Sequence, residues 1–382
     1  MVQLAVWAFA ALFVCCLPAM RPAAAQQVAP LPTTREAAPP TRELPRTSGW
    51  EARIVLPPTP AVRNPELPPT RTINPAPRKP AEHVPAPKAA SRAKPLREAR
   101  TAMTPFESAP FPYYGNIPGT DRPFHDVEEE ERIGHRRRNQ ILWQDEVFND
   151  SRVLLHIPKG FDARKPGVIL VYFHGHGATL ERDVLRRQQV PAQISSSGIN
   201  AVLVAPQFAV DAADSSAGKF WEPGGFGRFI GEAAQKLAEL HGDKKTVRTF
   251  AGMPVVIVGY SGGYLPAAWA VHMGGLTNRI RGVVLLDGLY GELEKFTRWM
   301  AKDRSAFFVS AFTGSTERHH GELERLLMEQ EIPVARALER QVKPGSVVFL
   351  SATTVNHRDF VTQAWGPQPI EDILRRVGPN LK

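Results

Sequence analysis

The C-terminal two thirds of the chain alternates short apolar runs with amphipathic or polar stretches. Val153–Ile157 reads as a short strand, closed by Pro158 and Gly160. Gly167–Phe173 (GVILVYF) is an unbroken, largely β-branched run, the pattern of a strand buried on both faces. It ends in His174-Gly175-His176-Gly177, and a polar helical stretch follows over residues 180–196. Asn200–Ala205 is the next strand, stopped by Pro206, and a helix is expected over 227–241. Pro254–Val258 is a further buried strand, then Gly259-Tyr260-Ser261-Gly262-Gly263, then an Ala-rich helix. Arg281–Leu286 ends at Asp287. Ala306–Phe312 and Ser346–Ser351 complete the strands, and a terminal helix begins near Pro369. Strands separated by helices of this length imply a mostly parallel sheet of about eight strands between two helical layers.

The N-terminal third lacks this rhythm. Of the 36 prolines, 21 fall in residues 26–118 and only 13 in residues 119–382. A proline density this high opposes helix and central strand, because each proline removes a donor and fixes φ. The expectation is a disordered Pro/Arg-rich linker over 26–118, followed by one domain over 119–382. Charge divides the same way. Residues 26–118 carry 13 Lys+Arg against 7 Asp+Glu, so most of the chain's net +9 belongs to this segment. A nucleic-acid partner is not expected, since its basic footprint would lie on the folded part. A weak electrostatic contact of the basic tail with an anionic envelope is the partner this charge suggests. The acidic block Glu128–Glu131 and the basic block Arg136–Arg138 read as a charged lead-in, a helical turn with internal pairs.

Residues 1–25 read as a signal peptide. Leu4–Leu17 is apolar throughout and Ala23–Ala25 forms a small-residue cleavage site. The expectation is an exported protein, periplasmic or secreted. The alternative is anchoring by an uncleaved segment, although 14 apolar residues fall short of the roughly 20 a spanning helix needs. The two cysteines, Cys15 and Cys16, lie inside this leader. The mature chain then has no disulfide and no cysteine nucleophile.

The chemical groups follow strand ends, where open α/β sheets place reactive residues. Ser261 has glycines two residues before and two after, between an apolar strand and a helix. Those glycines permit a sharp turn that exposes the hydroxyl. The helix N-terminus behind it favours developing negative charge. Asp287 follows its strand directly, where a carboxylate needs a partner. His357 lies after the last strand, in a loop that reaches over the sheet edge. His319 and His320 read as surface residues. His174 and His176, spaced as i and i+2, also suit a metal pair, but no second cluster with ligand spacing accompanies them.

With GYSGG at 259–263, HGHG at 174–177 and the late His357 in VNHRDF, residues 140–380 resemble the α/β-hydrolase superfamily. The resemblance implies a serine nucleophile, an acyl-enzyme and a serine–acid–histidine order. Its usual acid position falls at Glu317, whereas Asp287, at a placement some members use, is the acid chosen for a Ser261–His357–Asp287 triad. Asp359, two residues from His357, is the remaining carboxylate. It implies an oxyanion site from the amides of Gly262 and His176, with Gly175 among the oxyanion or substrate-binding residues and Gly177 keeping the approach open. Tyr260, Trp221, Phe220, Tyr264 and Trp365 are the candidates for a substrate pocket. The implied activity is hydrolysis of carboxylic esters, or alternatively amides, in a small-molecule or polymer-borne substrate, with no cofactor. A binding or scaffolding protein that keeps the fold without turnover is the alternative from another class.

Overall fold

The computed structural model describes residues 95–276 and 278–378. Its strands are β1 (Arg100–Pro105), β2 (Val127–Glu129), β3 (Arg132–Arg137), β4 (Gln140–Trp143), β5 (Arg152–Ile157), β6 (Val168–Phe173), β7 (Ala201–Pro206), β8 (Val255–Tyr260), β9 (Ile280–Leu286), β10 (Phe307–Phe312) and β11 (Val347–Ser351). Eight of them form one sheet in the order β1-β5-β7-β6-β8-β9-β10-β11. β5 runs antiparallel to both its neighbours. The other pairings are parallel. The expected three-layer arrangement of a mostly parallel sheet between helices is present.

Alternation along the central strands explains the layers. On β8, Val255 and Ile257 face one core while Val256 and Val258 face the other. β6 divides in the same way, with Ile169, Val171 and Phe173 opposed to Val168, Leu170 and Tyr172. Both sets are buried, so neither strand shows a polar face in the sequence. Helices Gly225–His241, Tyr264–Met273, Leu293–Lys302 and Glu317–Met328 contribute to the first core. Helices Val190–Ser197 and Pro369–Val377 contribute to the second. The stretch expected as one helix over 180–196 is two: a π-helix, Leu180–Arg187, and then Val190–Ser197.

Two expectations about the N-terminal side need correction. Residues 95–118 are not linker. β1 pairs with β5 along its whole length, from Arg100 opposite Ile157 to Pro105 opposite Arg152. Phe106, Ala109, Phe111 and Tyr113 after it are buried in the first core. Proline density misled here because Pro105, Pro110 and Pro112 sit at a strand end and in a connecting loop, where no ladder donor is needed. The aromatic residues between them supply the burial. The rest of the expected linker, 26–94, and the expected leader, 1–25, lie outside the described residues.

The charged lead-in is likewise not a helical turn. β2, β3 and β4 form a three-stranded antiparallel sheet. Its turns fall on the charged blocks themselves: Glu130 and Glu131 have φ of 49° and 66°, and Arg138 has φ of 54°. Arg132 pairs with Asp145 and Glu146 across the small sheet, not with its acidic neighbours. Val127 and Leu142 are buried beneath the charged faces.

Candidate active site

Ser261 stands on the turn between β8 and helix Tyr264–Met273, with φ of 52°. Positive φ is unfavourable for a residue with a Cβ, so the turn stores strain that the surroundings must hold. They hold it by close packing. A Cβ at Gly263 would come within 2.3 Å of the Phe173 carbonyl oxygen, and one at Gly259 within 2.9 Å of the Gly263 carbonyl. A Cβ at Gly175 would lie 2.8 Å from that of Ser261. Gly263 is therefore required by contact with the end of β6, Gly259 by the carbonyl of the turn itself, and Gly175 by the serine.

The Ser261 hydroxyl is 2.9 Å from His357 Nε2, and His357 Nδ1 is 2.6 Å from Asp287 Oδ2. These three side chains, drawn from β8, the loop after β11 and the end of β9, form one hydrogen-bonded chain. Asp287 is fully buried. Burial alone would raise its pKa. The hydrogen bonds from His357, the Thr313 amide and the Thr316 hydroxyl outweigh that and hold the carboxyl below its ordinary value. With Asp287 ionised, His357 Nδ1 carries the proton and donates it to the carboxylate, and Nε2 accepts from Ser261. His357 also stacks on Tyr260, at 5.2 Å between ring centres, and the Tyr260 hydroxyl donates to the His357 carbonyl at 3.0 Å.

Glu317 lies elsewhere. It is exposed at the start of its helix, while the adjacent Thr316 and Thr313 turn inward to Asp287. Asp359 is half-buried and makes no contact with His357 in this chain of bonds.

The HGHG turn after β6 divides its two histidines. His174 is buried, with Nδ1 on the Gly175 carbonyl at 2.8 Å and Nε2 accepting from the Phe208 amide at 2.9 Å. Burial lowers its pKa to about 4, so the ring is neutral and ties the turn to the loop after β7. Both its nitrogens are taken, so His174 and His176 do not form a ligand pair. Among the described residues, no group of three or more His, Cys, Asp or Glu side chains is placed to hold a metal ion. His176 instead crosses the cleft to Ser215, 2.5 Å from Nε2 to Oγ. A Cβ on Gly262 would meet both side chains, at 2.6 Å and 2.7 Å, so the pair sits directly over the residue after Ser261. The Gly177 amide is committed to the Ala212 carbonyl. Among the described residues, the amides of Gly262 and His176 have no such partner.

Around this centre lies a cleft of about 770 Å³. Tyr260, Tyr264 and Tyr290 form an aromatic wall, and Arg137, Arg182, Arg187 and Arg358 line it with Asp183. Burial raises the pKa of Tyr260 to about 12 and raises Tyr264 and Tyr290 as well, so all three keep their hydroxyl protons.

Three expected residues are elsewhere. Trp221 packs edge-on against Tyr113 and Phe124, because the segment after β1 covers it. Phe220 is fully buried in the aromatic core beside Phe226 and Phe229. Trp365 donates from Nε1 to Asp372 and packs on the second core. His320 is also not a surface residue. It is buried, bonded to Ser310 and the Thr316 carbonyl, and stacked on Phe312. Tyr290, Ser215, Arg182, Arg187 and Arg358 are not singled out by the sequence, and Arg137 stands there only as part of the basic block Arg136–Arg138. Tyr290 and Arg358 had a local sign there, three residues after the strand-end aspartate and next to His357.

No protein-family model and no curated protein matches the chain. Among solved structures it is similar to a protein described as FAE, at 13% identity and TM-score 0.41, covering 79% of this chain and 94% of that one. It is similar to a serine-to-alanine mutant of the feruloyl esterase module from Clostridium thermocellum, at 12% and 0.40, covering 71% and 96%. It is similar to an S-formylglutathione hydrolase from Agrobacterium tumefaciens, at 13% and 0.39, covering 67% and 98%. Likenesses this distant carry no argument about activity. The sheet order, the antiparallel second strand and the serine on the tight strand–helix turn are those of the α/β-hydrolase fold.

Proposed function

We propose that the protein is a serine hydrolase acting on carboxylic esters through Ser261, His357 and Asp287. The observation that supports this most is the continuous hydrogen-bonded chain from the Ser261 hydroxyl to the buried Asp287 carboxylate. In this reading His357 Nε2 takes the serine proton as Oγ attacks the ester carbonyl. The negative charge that develops on the carbonyl oxygen rests on the amides of Gly262 and His176. The imidazolium, steadied by Asp287, then protonates the departing alcohol. Water, deprotonated by His357, attacks the acyl-enzyme, and collapse of the second tetrahedral intermediate frees the acid and restores Ser261. No cofactor has a part in these steps.

The test is labelling by a fluorophosphonate probe, with turnover of a simple aryl ester. The wild-type protein is expected to label and turn over. Ser261→Ala is expected to lose labelling and at least about three orders of magnitude in turnover. An unlabelled wild-type protein would point instead to a binding or scaffolding role. Near-normal turnover by the alanine variant would remove the serine mechanism.

Export to the periplasm or medium is part of the same proposal, supported by the apolar run Leu4–Leu17 and by Ala23–Ala25. Among the described residues no helix is long and apolar enough to cross a membrane. The contact of the basic tail with an anionic envelope stays a proposal supported by charge alone.

A further inference from the structure

Four arginines and one aspartate line the cleft beside Ser261. Their placement on the fold gives this imbalance a direction. Arg182 and Arg187 both belong to the π-helix, and both reach Asp183, at 2.9 Å each. Arg182 also pairs with Asp211, which does not line the cleft. Arg137 comes from β3 and pairs at 3.0 Å with Asp214, whose side chain has no exposure. Asp214 is buried and Asp211 lies outside the cleft lining, so Asp183, shared by Arg182 and Arg187, is the one carboxylate in that lining against four guanidiniums. Arg358 has no acid partner among the described residues. It follows His357 in the same 3₁₀ turn, and its carbonyl accepts from Arg187 at 2.9 Å. That bond fixes the Arg358 backbone beside the π-helix, so an uncompensated cation stands next to the base. π-Helical turns concentrate at functional sites, and the arginine fork matches carboxylate oxygens in pairs.

We propose that the cleft selects esters bearing a free carboxylate, held chiefly by Arg358 with Arg187 beside it. This rests on the serine hydrolase reading above and specifies the substrate class of the same site. Ion pairing with one exposed guanidinium is worth little alone. A carboxylate that meets Arg358 and the Arg187 nitrogen left over by Asp183 and the Arg358 carbonyl gains charge-assisted hydrogen bonds worth about tenfold in kcat/KM.

The experiment compares matched aryl esters of similar length, one with a neutral acyl chain and one whose acyl chain ends in a carboxylate. A second pair carries the carboxylate on the alcohol side instead. The wild-type protein is expected to prefer the carboxylated member of one pair by about tenfold, and which pair shows on which side of the scissile bond the arginines act. The preference should shrink several-fold between about 20 mM and 500 mM salt, as exposed charges are screened. The ratio of the two kcat/KM values should collapse in Arg358→Gln and recover in part in Arg358→Lys. A neutral ester preferred in both pairs, or a preference untouched by Arg358→Gln, overturns the proposal while leaving the hydrolase reading intact. If the wild-type protein neither labels nor turns over any ester, the hydrolase reading fails. The inference is then decided by calorimetric titration with glutarate: binding that Arg358→Gln abolishes upholds the anion site, and absence of binding overturns it.

Discussion

At the scale of single residues, the acid is the member of the proposed triad with a rival. Asp287 accepts from His357 Nδ1, from the Thr313 amide and hydroxyl and from the Thr316 hydroxyl. Those bonds fix the carboxylate before any substrate arrives, which lets it hold His357 in one tautomer and stabilise the imidazolium. Asp287→Asn should therefore lower kcat by about 10³- to 10⁴-fold while KM stays near the wild-type value. Glu317→Gln, at an exposed helix start, should cost less than about tenfold. Steady-state kinetics of the two variants on one ester decide between them, and a crippled Glu317→Gln beside an active Asp287→Asn would reverse the assignment. The residues of this chain were legible for a local reason. Ser261, Asp287 and His357 each follow a strand, and the sequence shows where strands end. Ser215, Arg187 and Arg358 come from a loop, a π-helix and a 3₁₀ turn, and they meet only through tertiary packing. No spacing rule connects positions 143 residues apart in sequence, the distance from Ser215 to Arg358.

At the scale of elements, β1 and the segment after it matter most, because they reverse the expected boundary at residue 119. β1 closes one edge of the large sheet, and Phe111 packs at 4.9 Å on Phe148 and at 5.9 Å on Phe124. A chain beginning at Gly119 loses that strand and leaves Phe124, Phe148 and Trp221 uncovered. It should fail to fold or melt well over ten degrees lower, as a loss of several buried aromatics requires. The single change Phe111→Ala should cost about 3–5 kcal/mol in urea unfolding. Unchanged melting of the shortened chain would return residues 95–118 to the linker. The central strands were legible because burial on both faces leaves them uniformly apolar. β1 was not, because RTAMTP is an edge strand with half-exposed residues and no apolar run. The small sheet was hidden for a similar reason. Its strands carry Glu and Arg outward, and only Val127, Gly134 and Leu142 turn in. The small sheet also reaches the site, since Arg137 on β3 anchors Asp214 next to Ser215.

At the scale of the whole molecule, three neutral histidines join its parts. His156 on β5 bridges Thr101 of β1 and Ser195 of helix Val190–Ser197, at 2.8 Å to each. His174 ties the turn after β6 to the loop after β7, and His320 ties helix Glu317–Met328 to Ser310 on β10 at 2.7 Å. All three are buried, and burial lowers the pKa of each to about 4, against an ordinary value of 6.5. The unfolded chain therefore binds protons on these rings that the folded chain refuses. Above pH 6.5 both states are neutral and stability is complete. As pH falls from 6.5 towards 4 the unfolded state is favoured, by up to about 3 kcal/mol for each histidine. Below 4 the folded rings protonate too and this contribution to the slope ends. Asp287 acts in the same direction but lower down, since its depressed pKa costs stability only as pH falls below the ordinary carboxylate range. The three histidines together reach the size of a typical domain's whole stability, about 5–15 kcal/mol, so the protein should unfold in acid before its carboxylates are all protonated. Urea unfolding followed across pH 7.5 to 5 should show a stability slope near pH 5 of about three protons. His320→Gln, whose amide does not titrate, should reduce that slope by about one proton even though it lowers stability at neutral pH. A midpoint that stays level from pH 7.5 to 5 would show that the rings meet protons in the folded state as readily as in the unfolded one.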